Sequence, residues 1–230
     1  MSEKKVYAIS EEKWVFRMLM VVAGFYGGYA MLVRGGVFSN AQTGNVVLCA
    51  LALGEGDWRR AAYFIIPISA YMLGCLLSEL FKSPMRRRWV MRWETVLILI
   101  EIVTVMVMGF IPATAPHQIC QILINLICAM RLTTFQRSEG VTMATIFCTN
   151  HIRNIGTTLA SMLRREKKTG ENLHRIALHS IMILCFMVGV AVSVLACRWI
   201  GVKAIWCVLP LLAILFAELF LADRKEKANI

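Results

Sequence analysis

Glu101, Arg131, Arg153 and a small set of amides and hydroxyls are the residues of this 230-residue chain whose types could do chemistry. The amides crowd into Gly35-Gly36-Val37-Phe38-Ser39-Asn40-Ala41-Gln42-Thr43-Gly44-Asn45, where Asn40, Gln42, Thr43 and Asn45 would line a site for a small polar or anionic solute. A paler copy lies about 106 residues later, from Val141 to His151, and sets Thr145, Thr149, Asn150 and His151 in corresponding places, with Arg153 following. Such groups are costly in an apolar medium unless something satisfies them, so their recurrence points to a site. Ser39 or Asn40 fits an N-cap. A helix starting there at depth would turn its free amides and positive dipole end toward the interior, as a carboxylate or other anion requires. The alternative is that these groups only satisfy one another between helices, and both readings stay open. Arg153 either holds an anion or snorkels to the interface.

Glu101 is a different signal. It sits in the middle of the apolar stretch 94–111, where a carboxylate is expensive and a function is the default expectation. It would couple a proton or cation, with Arg17, Arg131 or Arg153 as its partner. The alternative is a protonated, merely hydrogen-bonded carboxyl.

Other chemistry has little support. No nucleophile has a recognisable base, and no phosphate-cradling loop, cofactor motif or His-Glu-x-x-His is present, so neither an enzyme nor a cofactor is expected. The eight cysteines fall in apolar segments with no Cys-x-x-Cys pair, and read as packing residues rather than a disulfide framework or a metal site. The net charge of +11 is not a nucleic-acid signal, because its Lys and Arg lie in short loops between apolar blocks.

Those blocks must position the polar groups. The chain is 58% hydrophobic with a mean hydropathy of +0.65, and stretches such as 98–108 and 181–197 are apolar on all sides, as in a bilayer. Eight segments stand out, at 14–33, 39–54, 61–81, 94–111, 118–135, 142–163, 176–197 and 201–222. Segment 39–54 would make a helix of only about 24 Å at 1.5 Å per residue, against a hydrocarbon core of about 30 Å. Segment 142–163 carries Asn150, His151, Arg153 and Asn154 together. If these two enter and return, six segments span, and 20 of the 25 Lys and Arg collect on the side of the N-terminus. An eight-span arrangement divides them about 14 to 10.

The expected fold is therefore all-α: six transmembrane helices and two short polar re-entrant or half-helices, with both termini cytoplasmic. The first repeat covers 14–111 and the second 118–222, between a segment 1–13 and a tail 223–230. Three crossings per half make the second half upside down, a plan recurrent in transporters.

The run from Gly35 to Asn45, followed by Val46-Val47-Leu48, resembles the signature of the YoaK-like family of bacterial six-span inner-membrane proteins of unknown function. Phe135-Gln136-Arg137 and Ala144-Thr145-Ile146-Phe147-Cys148-Thr149-Asn150-His151-Ile152-Arg153 resemble its second motif. Two departures stand out: an acidic residue common in the family near the place of Gly27 is missing, and the second Thr-Gly-Asn is Thr149-Asn150-His151. The resemblance implies a bacterial inner-membrane location and six spans, and names no substrate. The expected partners are the lipid bilayer and a small polar solute, with a homo-oligomer left open and no nucleic acid. The rival to a transporter or channel is a membrane assembly or regulatory protein whose polar segments only lock helices together.

Overall fold

A computed structural model describes residues 8–88, 91–139, 141–143, 145–146, 148–164 and 169–228. Phe147 and Ala144 of the second polar run, and Arg165, Lys167 and Lys168 of the basic loop after it, lie outside the described residues. The described chain is almost wholly helical: α1 (Lys13–Val33), α2 (Gln42–Gly54), α3 (Trp58–Arg88), α4 (Trp93–Phe110), α5 (His117–Thr134), α6 (Thr149–Leu163), α7 (Thr169–Ile200) and α8 (Leu209–Ala228). A two-residue hairpin pairs Arg137–Ser138 with Val141–Thr142. Gly201, at φ +58°, ends α7 in a conformation that suits glycine, and a 3-10 stretch Gly201–Val208 follows. The helix expected from residue 201 thus begins at Leu209 instead.

Among the described residues four stretches are long and apolar enough to cross a membrane: Lys13–Val33, Trp58–Lys82, Trp93–Phe110 and Gly170–Lys227, the last taking in nearly all of α7 and α8. The protein is built of apolar helices suited to a membrane. Leu163, Trp199 and Met72 are among its most exposed side chains, and α7 and α8 bury little, as expected for surfaces turned to lipid. Helix α5 is less apolar because Gln121, Asn125 and Arg131 interrupt it, all three buried.

Contacts at the helix ends fix direction. At one face, here the proximal face, Lys13 pairs with Glu139 at 2.6 Å just beyond α5, and Trp93 at the start of α4 donates to Thr134 at 2.8 Å. There too, Phe81 near the end of α3 stacks on Trp93, and the Arg92 amide donates to Asp223 of α8 at 2.8 Å. At the distal face Arg34 bonds the last carbonyls of α4, Gln121 at the start of α5 donates to the Arg34 carbonyl at 2.7 Å, and Tyr63 near the start of α3 donates to that of Gly35 at 3.2 Å. Tyr29 donates to the Val202 carbonyl just past α7 at 2.8 Å. So α1, α4 and α7 run from proximal to distal, and α3, α5 and α8 return. Neither α2 nor α6 changes the face on which its neighbours stand.

The packing pairs are α1 on α7, α3 on α5, α2 on α3, α6 on α7 and α4 on α8. Replacing each helix by the one four places later turns this set of pairs into itself. The two closest crossings also correspond. A Cβ on Gly189 of α7 would overlap the Val21 carbonyl oxygen of α1, and one on Gly74 of α3 would overlap that of Leu126 on α5. Each glycine is followed four residues later by a buried serine, Ser193 and Ser78, which is the small-residue spacing that lets helix backbones touch.

Candidate functional site

The chain turns back after α1 through Gly35 and Gly36, at φ +82° and +71°, a region that glycine occupies without strain. It re-enters far enough for the Asn40 side chain to donate to the Ala23 carbonyl, halfway along α1, at 3.2 Å. Gly27 lies beside it, where a Cβ would stand in ordinary contact, 3.4 Å from the Asn40 amide nitrogen. Helix α2 then climbs back to the distal face.

Its N-terminus corrects the expectation from sequence. The N-cap is Ala41, with no side-chain cap, because Asn40 is spent on α1 and the buried Ser39 hydroxyl has no partner. Asn45 instead closes the turn. Its Oδ1 accepts from the Phe38 amide at 3.0 Å, and its Nδ2 donates to the Phe38 carbonyl at 2.8 Å and to Gln42 Oε1 at 3.0 Å. One asparagine side chain thus satisfies both backbone groups of a residue in a turn that α1 cannot serve. Gly44 is required beside it, because a Cβ would strike the Phe38 ring.

From Gln42 the amides continue across to α5. Gln42 donates to Asn125 Oδ1 at 2.6 Å, Asn125 donates to the Gln121 carbonyl at 2.8 Å, and Gln121 meets the Tyr63 hydroxyl. Thr43 is exposed and stands outside this chain. Sequence reasoning missed Gln121, Asn125 and Tyr63. The spacing of Gln121 and Asn125, four apart within an apolar span, is the signal that would have found them.

In the second half, the buried Thr145 precedes α6 and its hydroxyl has no partner, while Thr149 opens the helix. His151 is buried and faces His179 of α7, their Nδ1 atoms 2.9 Å apart. Asn150 accepts from the exposed Arg153 at 2.7 Å. Helices α2 and α6 each lie on the long helix that follows, with at most a grazing contact between them. Asn40, Gln42 and Asn45 are therefore brought together with one another, and Thr145, Thr149, Asn150 and His151 form a separate group.

Between the halves lies the ion pair. Glu101 of α4 and Arg131 of α5 are fully buried, with Nη1 to Oε1 at 3.3 Å, so of the three arginines offered by the sequence Arg131 is the partner. Tyr26 of α1 donates to the same carboxylate oxygen at 2.8 Å, and the guanidinium lies 5.4 Å from the Tyr26 ring centre. Arg131 also donates to the Leu19 carbonyl at 3.4 Å. Glu101 Oε2 and Arg131 Nε and Nη2 have no hydrogen-bond partner. Buried pairs normally use such remaining positions to offset the cost of dehydration. This pair leaves much of its capacity unused.

Arg34, counted from sequence as a loop charge, is also fully buried. It donates to Ile111, Pro112 and Met108 carbonyls at 2.8, 3.2 and 3.5 Å, and to Tyr29 at 2.9 Å. A cation at the carbonyl end of α4 is favoured by the dipole, and its role here is a cap. Among the described residues no group of three or more His, Cys, Asp or Glu is placed to hold a metal.

A family model described as protein of unknown function (DUF1275) matches residues 15–217. The chain belongs to that family. No curated protein and no solved structure matches it. The match runs from within α1 to within α8 and so takes in the positions of the ion pair and of both polar turns.

Proposed function

We propose that this DUF1275 protein crosses the membrane six times as two inverted three-crossing halves and moves a small polar or anionic solute, with Glu101 and Arg131 as its coupling pair. The alternating helix directions and the four-place exchange of packing partners support six crossings and the inverted repeat. The observation that carries the transport reading is the buried ion pair between α4 and α5, at the seam of the halves, with Glu101 Oε2 and Arg131 Nε and Nη2 unpartnered. A pair kept only for stability would be replaced without loss by packed apolar residues, whereas an unfilled one offers positions to a solute or proton. Thr145 and Ser39, buried with unpartnered hydroxyls, add polar positions on the two re-entrant turns. In this reading Gln42 contributes from one turn, which Asn40 and Asn45 hold in place, and Thr149, Asn150 and His151 contribute from the other. The protein is no enzyme in this reading and needs no cofactor.

The resemblance to YoaK-like proteins and the distribution of positive charge support the bacterial inner membrane, with the proximal face and both termini cytoplasmic. Arg59→Cys, exposed at the start of α3, should then be labelled from outside intact cells, and Arg175→Cys should not; the reverse pattern would invert the topology.

The transport reading is tested by reconstituting the protein in liposomes and screening small carboxylates, inorganic anions, amino acids and polyols for flux. At least one should move, and Glu101→Gln should abolish its coupling to protons. A panel in which none moves, from vesicles whose protein is folded, would refute it. The locking reading has one observation of its own, the closure of the Phe38 turn by Asn45.

A further inference from the structure

The unfilled positions on Arg131 are not scattered. Nε and Nη2 form one edge of the guanidinium, the side edge whose two parallel N–H groups match the two oxygens of a carboxylate or similar planar oxyanion. Nη1, on the other edge, serves Glu101 and the Leu19 carbonyl. The edge is buried; the Cys128 thiol one turn earlier meets the guanidinium, but a thiol is too weak an acceptor to fill a charged fork. On Glu101 the division is similar: Oε1 takes both Tyr26 and Arg131, and Oε2 takes nothing.

We infer that the side edge of Arg131 is the binding fork for a monovalent oxyanion, and that Glu101 takes up one proton on Oε2 as the anion binds. This rests on the transport reading above and adds the substrate class and the coupling to it. The reasoning is charge balance. The empty site holds one buried cation and one buried anion. A second anion on the fork would leave a net buried negative charge, which a low-dielectric seam disfavours strongly.

The cheapest remedy is a proton that enters from solvent with the anion, forming an O–H bond at Oε2, the carboxylate oxygen without a partner. Tyr26 keeps its bond to Oε1 throughout. Charge is conserved: anion and proton enter together and the site stays neutral. The groups facing Glu101 are Arg131 from α5 and Tyr26 from α1, with Cys128 of α5 and Tyr71 of α3 acting on Arg131 behind them. No charged group of α8 acts on Glu101 among the described residues.

The test is calorimetric titration of the purified protein in lipid nanodiscs with nitrate and lactate, and with a neutral polyol, in two buffers of different ionisation enthalpy. Wild type should take up about one proton per anion, and its affinity should fall about tenfold for each unit rise in pH while Glu101 is ionised in the empty site. Glu101→Gln should bind at least as tightly with no proton uptake and no pH dependence. Arg131→Lys keeps the charge but loses the fork, and should bind tenfold or more weakly. The paired variant Glu101→Gln with Arg131→Gln leaves no unpaired buried charge and should not bind.

Unchanged proton uptake in Glu101→Gln, or full affinity in Arg131→Lys or in the paired variant, would overturn the inference. Binding of the polyol but of neither anion would overturn it while leaving the transport reading standing. If no solute binds here and none moves in the liposome screen, both fall.

Discussion

Replacing Asn45 separates a residue that holds the fold from one that handles a solute. Its side chain makes three hydrogen bonds, two of them to the amide and carbonyl of Phe38. Asn45→Leu fits the volume approximately but strips both backbone groups of the half-buried Phe38 of their partner. Each orphaned group costs about 1–3 kcal/mol. The leucine recovers part of this by burial, at most about 1.5–3 kcal/mol. The Gln42 and Phe38 polar atoms around it keep the gain at the low end, so a net loss of about 0.5–4.5 kcal/mol is expected. Gln42 retains its bond to Asn125, and the damage should stay local to the turn and α2. The assay is equilibrium unfolding in mixed micelles, with Thr43→Ala as the exposed neighbour that should change stability by less than about 0.5 kcal/mol. An Asn45→Leu protein as stable as wild type would show that the clamp carries no weight, and lost flux in that stable protein would assign Asn45 to the solute instead.

Three further outcomes follow from particular contacts. Gly189→Val and Gly74→Val should each prevent accumulation of folded protein, because the new Cβ meets backbone oxygen across a helix crossing, whereas Gly156→Ala, open on α6, should be neutral or stabilise by about 0.5–1 kcal/mol; expression and thermal unfolding report all three. Arg34→Met should destabilise by about 2–4 kcal/mol, since the end of α4 loses its charged donor to three carbonyls, and Arg34→Lys should restore less than half because one ammonium cannot span them. Arg131→Gln should cost less stability than Glu101→Gln, because the orphaned Glu101 carboxyl can take a proton and keep its bond to Tyr26, whereas the orphaned Arg131 guanidinium stays charged with only the Tyr26 ring beside it; unfolding midpoints in the opposite order would refute that electrostatic account.

The apolar blocks and the distribution of Lys and Arg made the helix set readable, and the two short polar segments stood out because their length and content did not suit a crossing. What escaped was set by partners distant in sequence. Asn40 has the right chemistry for an N-cap, yet an acceptor on α1 takes its amide, and nothing within ten residues announces Ala23. Arg34 looks like a loop charge until the end of α4 is brought over it. Trp206 reaches the Met106 carbonyl from a 3-10 stretch whose apolar composition reads equally well as the first turns of α8. The correspondence of Gly74-x-x-x-Ser78 with Gly189-x-x-x-Ser193 was in the sequence. It was hidden because these positions are about 115 residues apart while the polar segments are about 106 apart, so no single offset aligns both.

That difference in spacing accumulates between the start of α6 and Gly189 within α7, and the two short helices are held differently. The α2 turn is tied to three other elements: Asn40 to α1, Gln42 to α5, and Cys49 to the Ala61 carbonyl of α3 at 3.6 Å. Helix α6 spends Asn150, Asn154, Thr157 and Thr158 on bonds within its own turns, and its tie to α7 includes the His151 and His179 contact. Bonds within one helix move with it, whereas bonds to other helices must break before it can leave. If the halves rearrange to expose the Glu101–Arg131 seam, α6 is the element that can be released at lower cost, with α2 as the fixed support. Hydrogen exchange of the reconstituted protein should therefore open Thr149–Leu163 before Gln42–Gly54, a ratio of at least tenfold for a difference of about 1.4 kcal/mol in opening free energy. Exchange of α2 as fast as α6 would mean that the amide chain to α5 contributes nothing to holding it, and would remove the asymmetry from any account of how the halves move.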